Sequence, residues 1–172
     1  MGVKKIFSSL LVTCSIAAVV SSCNSTSKDN QSDNNIENAE IEAKLSKQDT
    51  ITIVLESNDK MQFDKTEIVV YDGQTVVLTL KHTGSMPKSA MGHNFVLINN
   101  TISVSDYANK AMKAKDNEYI PEDASLTLAH TKMIGGGDST EIIFSAPKAG
   151  TYDFLCSFPG HYSIMKGKFF VK

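Results

Sequence analysis

Arginine is absent from the 172 residues, so every strongly basic side chain is a lysine. That removes the guanidinium fork that reads base edges and grips phosphate bidentately, and a formal charge of −2 leaves no basic footprint to replace it. Sequence-specific nucleic-acid binding is therefore not expected. Cysteine is scarce: Cys14, Cys23 and Cys156 are the whole supply. Long apolar runs are scarce as well. The run from Ile6 to Val20 is long enough for the hydrophobic part of a secretory signal but short for a membrane span.

Lys4 and Lys5 precede that run, and it closes on Val20-Ser21-Ser22-Cys23. Small residues before a cysteine, directly after such a run, resemble the lipobox of bacterial lipoproteins, in which the cysteine is acylated and becomes the first mature residue. The expectation is a signal peptide over residues 1–22 and a lipid on Cys23 that anchors the protein to a membrane. Cys14 lies inside the apolar run and is discarded with it. Cys156 then stands alone in the exported part, which excludes an intrachain disulfide there and makes its thiol a candidate for a metal or a reaction.

After Cys23 the chain turns to Ser, Asn, Asp, Gln and Glu, without aromatics, as far as Gln48. Such a composition buries too little apolar area to order itself. Residues 23–48 read as a flexible polar tether with an r.m.s. reach of about 25 to 30 Å. From Asp49 onward the period changes to two and β-branched residues dominate, in "TITIVLE", "TEIVVYD", "QTVVLTLKHT", "HNFVLI", "ASLTLAH", "TEIIFSA", "GTYDFLC" and "GKFFVK". About eight short strands argue for an all-β sandwich or barrel over residues 49–172. One helix interrupts them: Ser103 and Asp106 make a capping box, with Val104, Tyr107, Ala108, Ala111 and Met112 on one face.

The chemistry gathers near the end, in "CSFPGHYSIM", residues 156–165. Tyr152, Phe154 and Cys156 share one strand face, so the thiol points inward with the rings. Pro159-Gly160 turns the chain so that His161 faces back toward the sulfur, and Met165 closes over the same point. A second imidazole is available in "MGHNF". There His93 follows Gly92, which lets backbone approach a metal, and precedes Asn94, whose amide can tie two loops together. One thiolate, two imidazoles and a distant thioether are the donor set of blue-copper electron-transfer sites.

Gly92-His93-Asn94-Phe95-Val96-Leu97-Ile98, "HTKMIG" and "CSFPGHYSIMKG", together with "NDKMQFD" and the place of the helix, resemble the azurins, blue copper proteins of the cupredoxin family. The resemblance runs from about Ile51 through Lys172. It implies a Greek-key β-sandwich holding one copper ion that cycles between Cu(I) and Cu(II), with Cys156, His93 and His161 as equatorial ligands. Met165 is implied as a weak axial ligand and the Gly92 carbonyl as a further axial contact. Asn94 and the backbone N–H of Phe158 fall in the shell around the sulfur. Met61, Met86, Met91, Phe158, Pro159 and Ile164, which could otherwise be edge packing, become an apolar patch around His161 through which electrons pass. Two departures leave the ligands untouched. The disulfide usual near the first strands of azurins is missing, and Phe95 stands where many have tryptophan.

The donor set and the resemblance together imply a one-electron carrier of the bacterial cell envelope, not an enzyme, docking transiently with redox proteins such as cytochromes or copper/haem reductases. A copper carrier or scavenger without a redox role is the alternative. A cysteine nucleophile activated by His161 leaves His93 and Met165 without a purpose. His82 and His130 read as hydrogen-bonded or solvent-facing histidines. The azurin resemblance places the histidine matching His82 near copper, where it would couple protonation to redox state.

Overall fold

Every second residue of one long strand faces inward: Val76, Leu78, Leu80 and then His82 are all buried along Thr75–His82. The same alternation runs through the chain and sorts it into two sheets. The computed structural model describes residue 38, residues 41–46 and residues 48–172. The expected signal peptide, Cys23 and most of the polar tether lie outside these residues.

Nine strands are present among the described residues: β1 (Thr50–Asn58), β2 (Gln62–Phe63), β3 (Glu67–Val70), β4 (Thr75–His82), β5 (Val96–Ile98), β6 (Thr127–His130), β7 (Ser139–Ser145), β8 (Gly150–Leu155) and β9 (Lys166–Val171). Eight coincide with the expected runs. The ninth, β2, has two residues, too few for a period to show. One sheet has the order β2-β1-β4-β7 and the other β3-β9-β8-β5-β6. The pairs β1 with β4 and β3 with β9 are parallel, and the remaining pairs are antiparallel. Between the sheets lies one apolar cluster, including Ile53, Leu55, Leu78, Leu80, Phe95, Phe154 and Phe169. Cys156 and Met165 belong to that cluster.

Two short helices connect strands: α1 (Lys88–Met91), a single turn, and α2 (Val104–Ala111). The Ser103 hydroxyl accepts from the Asp106 backbone N–H at 3.1 Å, so the expected cap starts α2. Its apolar face is shorter than expected. Tyr107, Ala108 and Ala111 are buried, but Met112 sits at the C-cap and stays 47% exposed. The buried three pack with Val96, Ile98 and Leu155, so α2 covers the outer face of the second sheet and all of β5 is buried. Burying a side chain the size of Tyr107 contributes about 1.5–3 kcal/mol.

Structure also reaches upstream of β1. Residues 41–45 are helical, and the buried Gln74 amide donates to the carbonyls of Leu45 and Gln48, each at 2.8 Å. Tyr71 Oη donates to the Glu42 carbonyl at 3.1 Å, and Lys172 pairs with the Glu42 carboxylate. Hydrogen bonds from the turn between β3 and β4 order a segment whose own composition would leave it as coil. These contacts lie at the β4 end away from His82.

Candidate metal centre

The last residue of β8 is followed directly by Cys156, fully buried among the core side chains. The loop after it turns at Gly160, whose φ of +84° is the left-handed conformation that glycine adopts without strain. That turn opens a 3₁₀ segment, His161–Ser163, and brings the His161 ring back over the thiol. Sγ of Cys156 is 3.7 Å from Nδ1 of His161. The Met165 N–H donates to the His161 carbonyl at 2.8 Å, and the Cys156 N–H to the Met165 carbonyl at 3.0 Å. All three residues are therefore pinned by backbone bonds within one loop, and Met165 is fully buried.

His93 arrives from elsewhere. Its backbone exchanges two hydrogen bonds with Ile134, each at 2.9 Å, which fixes the chain just before β5. Nε2–H donates to the Asn58 carbonyl at 2.9 Å. That bond leaves Nδ1 unprotonated and facing Cys156 Sγ at 3.8 Å. The donor atoms of His93, Cys156 and His161 all lie within 4.8 Å of one another, and all three residues are buried. The carbonyl of Gly92 is 3.8 Å from the same sulfur. A Cβ on Gly92 would come 2.6 Å from the Lys88 carbonyl and 3.0 Å from side-chain atoms of Met133 and Phe158, so only glycine brings this backbone so close.

The electrostatics of the pocket favour neutral groups. Burial pushes the Cys156 thiol up to about 12, against backbone N–H groups of Asn94 and Phe158 that donate to the sulfur and favour its thiolate. Burial, followed by the nearby His93 and His82, brings His161 down to about 4. Burial also lowers His93. Two imidazoles held neutral, that of His93 with a bare Nδ1, a thiol sheltered from water and a buried thioether fit a copper ion, because the donors are soft or borderline and the cation stabilises the thiolate. Around this core, Asn94 reaches across to the next loop, with Ser157 N–H donating to its Oδ1 at 2.9 Å.

His82 has a larger part than its sequence setting suggests. It is buried, with its ring stacked on that of His93 at 4.4 Å between centroids. Nε2–H donates to the Met91 carbonyl at 3.1 Å, and Nδ1 accepts from the Gly84 N–H at 3.0 Å. The inward alternation of β4 is the sequence signal for its burial. His130, by contrast, is exposed. Of the six apolar patch candidates, Met86 and Ile164 are exposed and Met61, Met91, Phe158 and Pro159 are half-buried. The ring of Phe158 lies 4.6 Å from that of His161. The roles of Asn58 and Ser157 are not legible in the sequence: one acts through a carbonyl that every residue has, and the other through a contact 63 positions away.

A β-sandwich that buries two imidazoles and a thiol at one end defines a copper protein of the cupredoxin class. Residues 49–172 match the copper binding proteins of the plastocyanin/azurin family, and the chain belongs to that family. It is 42% identical over 120 residues to azurin of Alcaligenes faecalis, covering 67% of this chain and 93% of that one. It is 40% identical over 117 residues to outer membrane protein H.8 of Neisseria gonorrhoeae, covering 66% and 63%. Among solved structures, auracyanin A, a "blue" copper protein of Chloroflexus aurantiacus, aligns with a TM-score of 0.65 at 33% identity, over 72% of this chain and 99% of that chain. Copper is thus the cofactor, and electron transfer the general activity.

Proposed function

We propose that this chain is an electron shuttle of the bacterial cell envelope: a copper domain over residues 49–172, carried on residues 23–48 and held to a membrane by a lipid on Cys23 once residues 1–22 are removed. The observation that carries the redox reading is the buried trio of donors within 4.8 Å of one another, in a chain of a copper-binding family. Nδ1 of His93, Nδ1 of His161 and Sγ of Cys156 are the strong ligands in this reading. The Met165 thioether would be a weaker ligand, and the Gly92 carbonyl a further contact. When bound, copper supplies a one-electron couple.

The chain's own task is to hold those donors still. Cys156 would hold the ion as a thiolate, its proton lost to solvent, and the N–H groups of Asn94 and Phe158 that bear on the sulfur would stabilise that charge. The Asn58 carbonyl keeps the His93 ring in one tautomer. Met61, Met86, Met91, Phe158, Pro159 and Ile164 provide an apolar surface for brief docking with cytochromes or copper/haem reductases. Small interfaces of this kind release quickly. The chain carries electrons and has no substrate to transform. The likeness to a protein named for the outer membrane supports the envelope location. Among the described residues no helix is long and apolar enough to cross a membrane.

Copper(II) added to the purified protein is expected to give intense blue absorption and a narrow hyperfine splitting in the spin-resonance spectrum, both lost in Cys156→Ser. A colourless copper-loaded protein overturns the site assignment. Labelled fatty acid incorporated by cells into the wild-type chain but not into Cys23→Ala tests the anchor.

A further inference from the structure

Beside the metal site opens a cleft of about 560 Å³, lined by Lys88, Lys115, Glu118, Tyr119, Met133 and Phe158. Phe158 joins it to the donors in two ways. Its ring packs 4.6 Å from His161, and its backbone N–H bears on the Cys156 sulfur. Tyr119 meets that ring edge-on at 5.6 Å. An electron leaving the sulfur through Phe158 is therefore one side chain away from whatever occupies the cleft.

The charge around the cleft runs against that of the whole chain. Lys88 and Lys115 line it, and Lys132 lies close enough to act on the carboxylate of Glu118. Glu118 is itself occupied, accepting from Lys88 Nζ at 2.8 Å and from the Met133 N–H at 3.0 Å. With Lys88 paired to Glu118, Lys115 is the uncompensated charge of the lining, and Lys132 nearby adds to it, so the cleft carries a positive excess on a chain whose net charge is −2.

We propose that this cleft is a docking surface for a redox protein that carries acidic side chains around its own redox centre. The proposal rests on the electron-transfer reading of the site. Opposite charges steer such partners into register and raise their encounter rate, while the aromatic pair provides the contact through which the electron moves. The range of the steering is set by salt, with a screening length of about 8 Å at physiological strength and about 3 Å at 1 M.

The test uses the copper(I)-loaded protein and hexacyanoferrate(III), an anionic oxidant that takes one electron and becomes hexacyanoferrate(II). Lys115→Glu is expected to slow this oxidation at low salt by roughly threefold or more relative to Lys148→Glu, with the difference vanishing near ~1 M salt. Lys148→Glu makes the same change of charge on a lysine paired with Asp72 in the turn before β8, at the strand end away from Cys156. A cationic oxidant, tris(phenanthroline)cobalt(III), should show the opposite order. A ten-residue polyglutamate peptide should slow the anionic reaction of the wild type but not of Lys115→Glu. Equal slowing by the two variants shows that only net charge matters and overturns the proposal. So does a peptide without effect, which restricts the cleft to small anions. If neither oxidant reacts with the loaded protein, the electron-transfer reading itself fails.

Discussion

Asn94 and Ser157, 63 positions apart, bind each other through both ends of one amide. The Ser157 N–H donates to Oδ1 at 2.9 Å, and Nδ2 donates to the Ser157 hydroxyl at 2.8 Å. Both residues are buried and each follows a donor residue, His93 or Cys156, so the pair splices the two halves of the metal site. Asn94→Ala strands the Ser157 N–H and hydroxyl away from water. Each orphaned buried group costs about 1–3 kcal/mol, so the variant should lose about 2–6 kcal/mol in urea unfolding and release copper faster to a chelator. A loss under about 1 kcal/mol would mean that the two loops are held by something else.

Gly92→Ala should be disproportionately harmful for one added methyl. The new Cβ meets a backbone oxygen, that of Lys88, at 2.6 Å, which cannot swing aside like a side-chain tip. Overpacking of this kind costs about 1–3 kcal/mol. Because the Gly92 carbonyl faces Cys156 Sγ at 3.8 Å, the blue absorption band should shift as well. A variant with full stability and an unchanged spectrum would contradict the tight approach.

The metal-free protein should have a stability plateau bounded on both sides. His161, and with it His93, resists protonation when folded but not when unfolded. Between pH 6.5 and about 4 the unfolded chain thus binds more protons, and stability falls as pH drops. The Cys156 thiol is raised from 9.0 to about 12, so between those values the unfolded chain has lost a proton that the folded chain keeps, and stability falls as pH rises. Thermal unfolding followed across pH should show both flanks. Cys156→Ser should remove the contribution of the thiol to the alkaline flank, and an unaltered flank would assign it to other groups.

Much of this is legible in the chain because it depends on neighbours in sequence. Short runs rich in β-branched and aromatic residues mark eight of the nine strands among the described residues, and the Ser103–Asp106 box marks α2. Cys156, His161 and Met165 lie on one loop, so their spacing alone suggests that they converge. The excess reach assigned to the α2 apolar face, through Met112, comes from extending a helical period past the point where the helix ends.

The order of residues along the chain supplies the kinds of atom available: one inward thiol, imidazoles on two loops, a thioether, and strands to bury them. Packing sets which nitrogen His93 presents to the site and what surrounds both rings. The His93 tautomer depends on the Asn58 carbonyl at the end of β1, and the stacking of His82 on His93 depends on β4 ending beside that carbonyl in parallel register, Ser57 opposite His82. A carbonyl has no residue signature, and a register between strands is set by the whole core they bury. Those parts of the site therefore exist only once the two sheets have closed on each other.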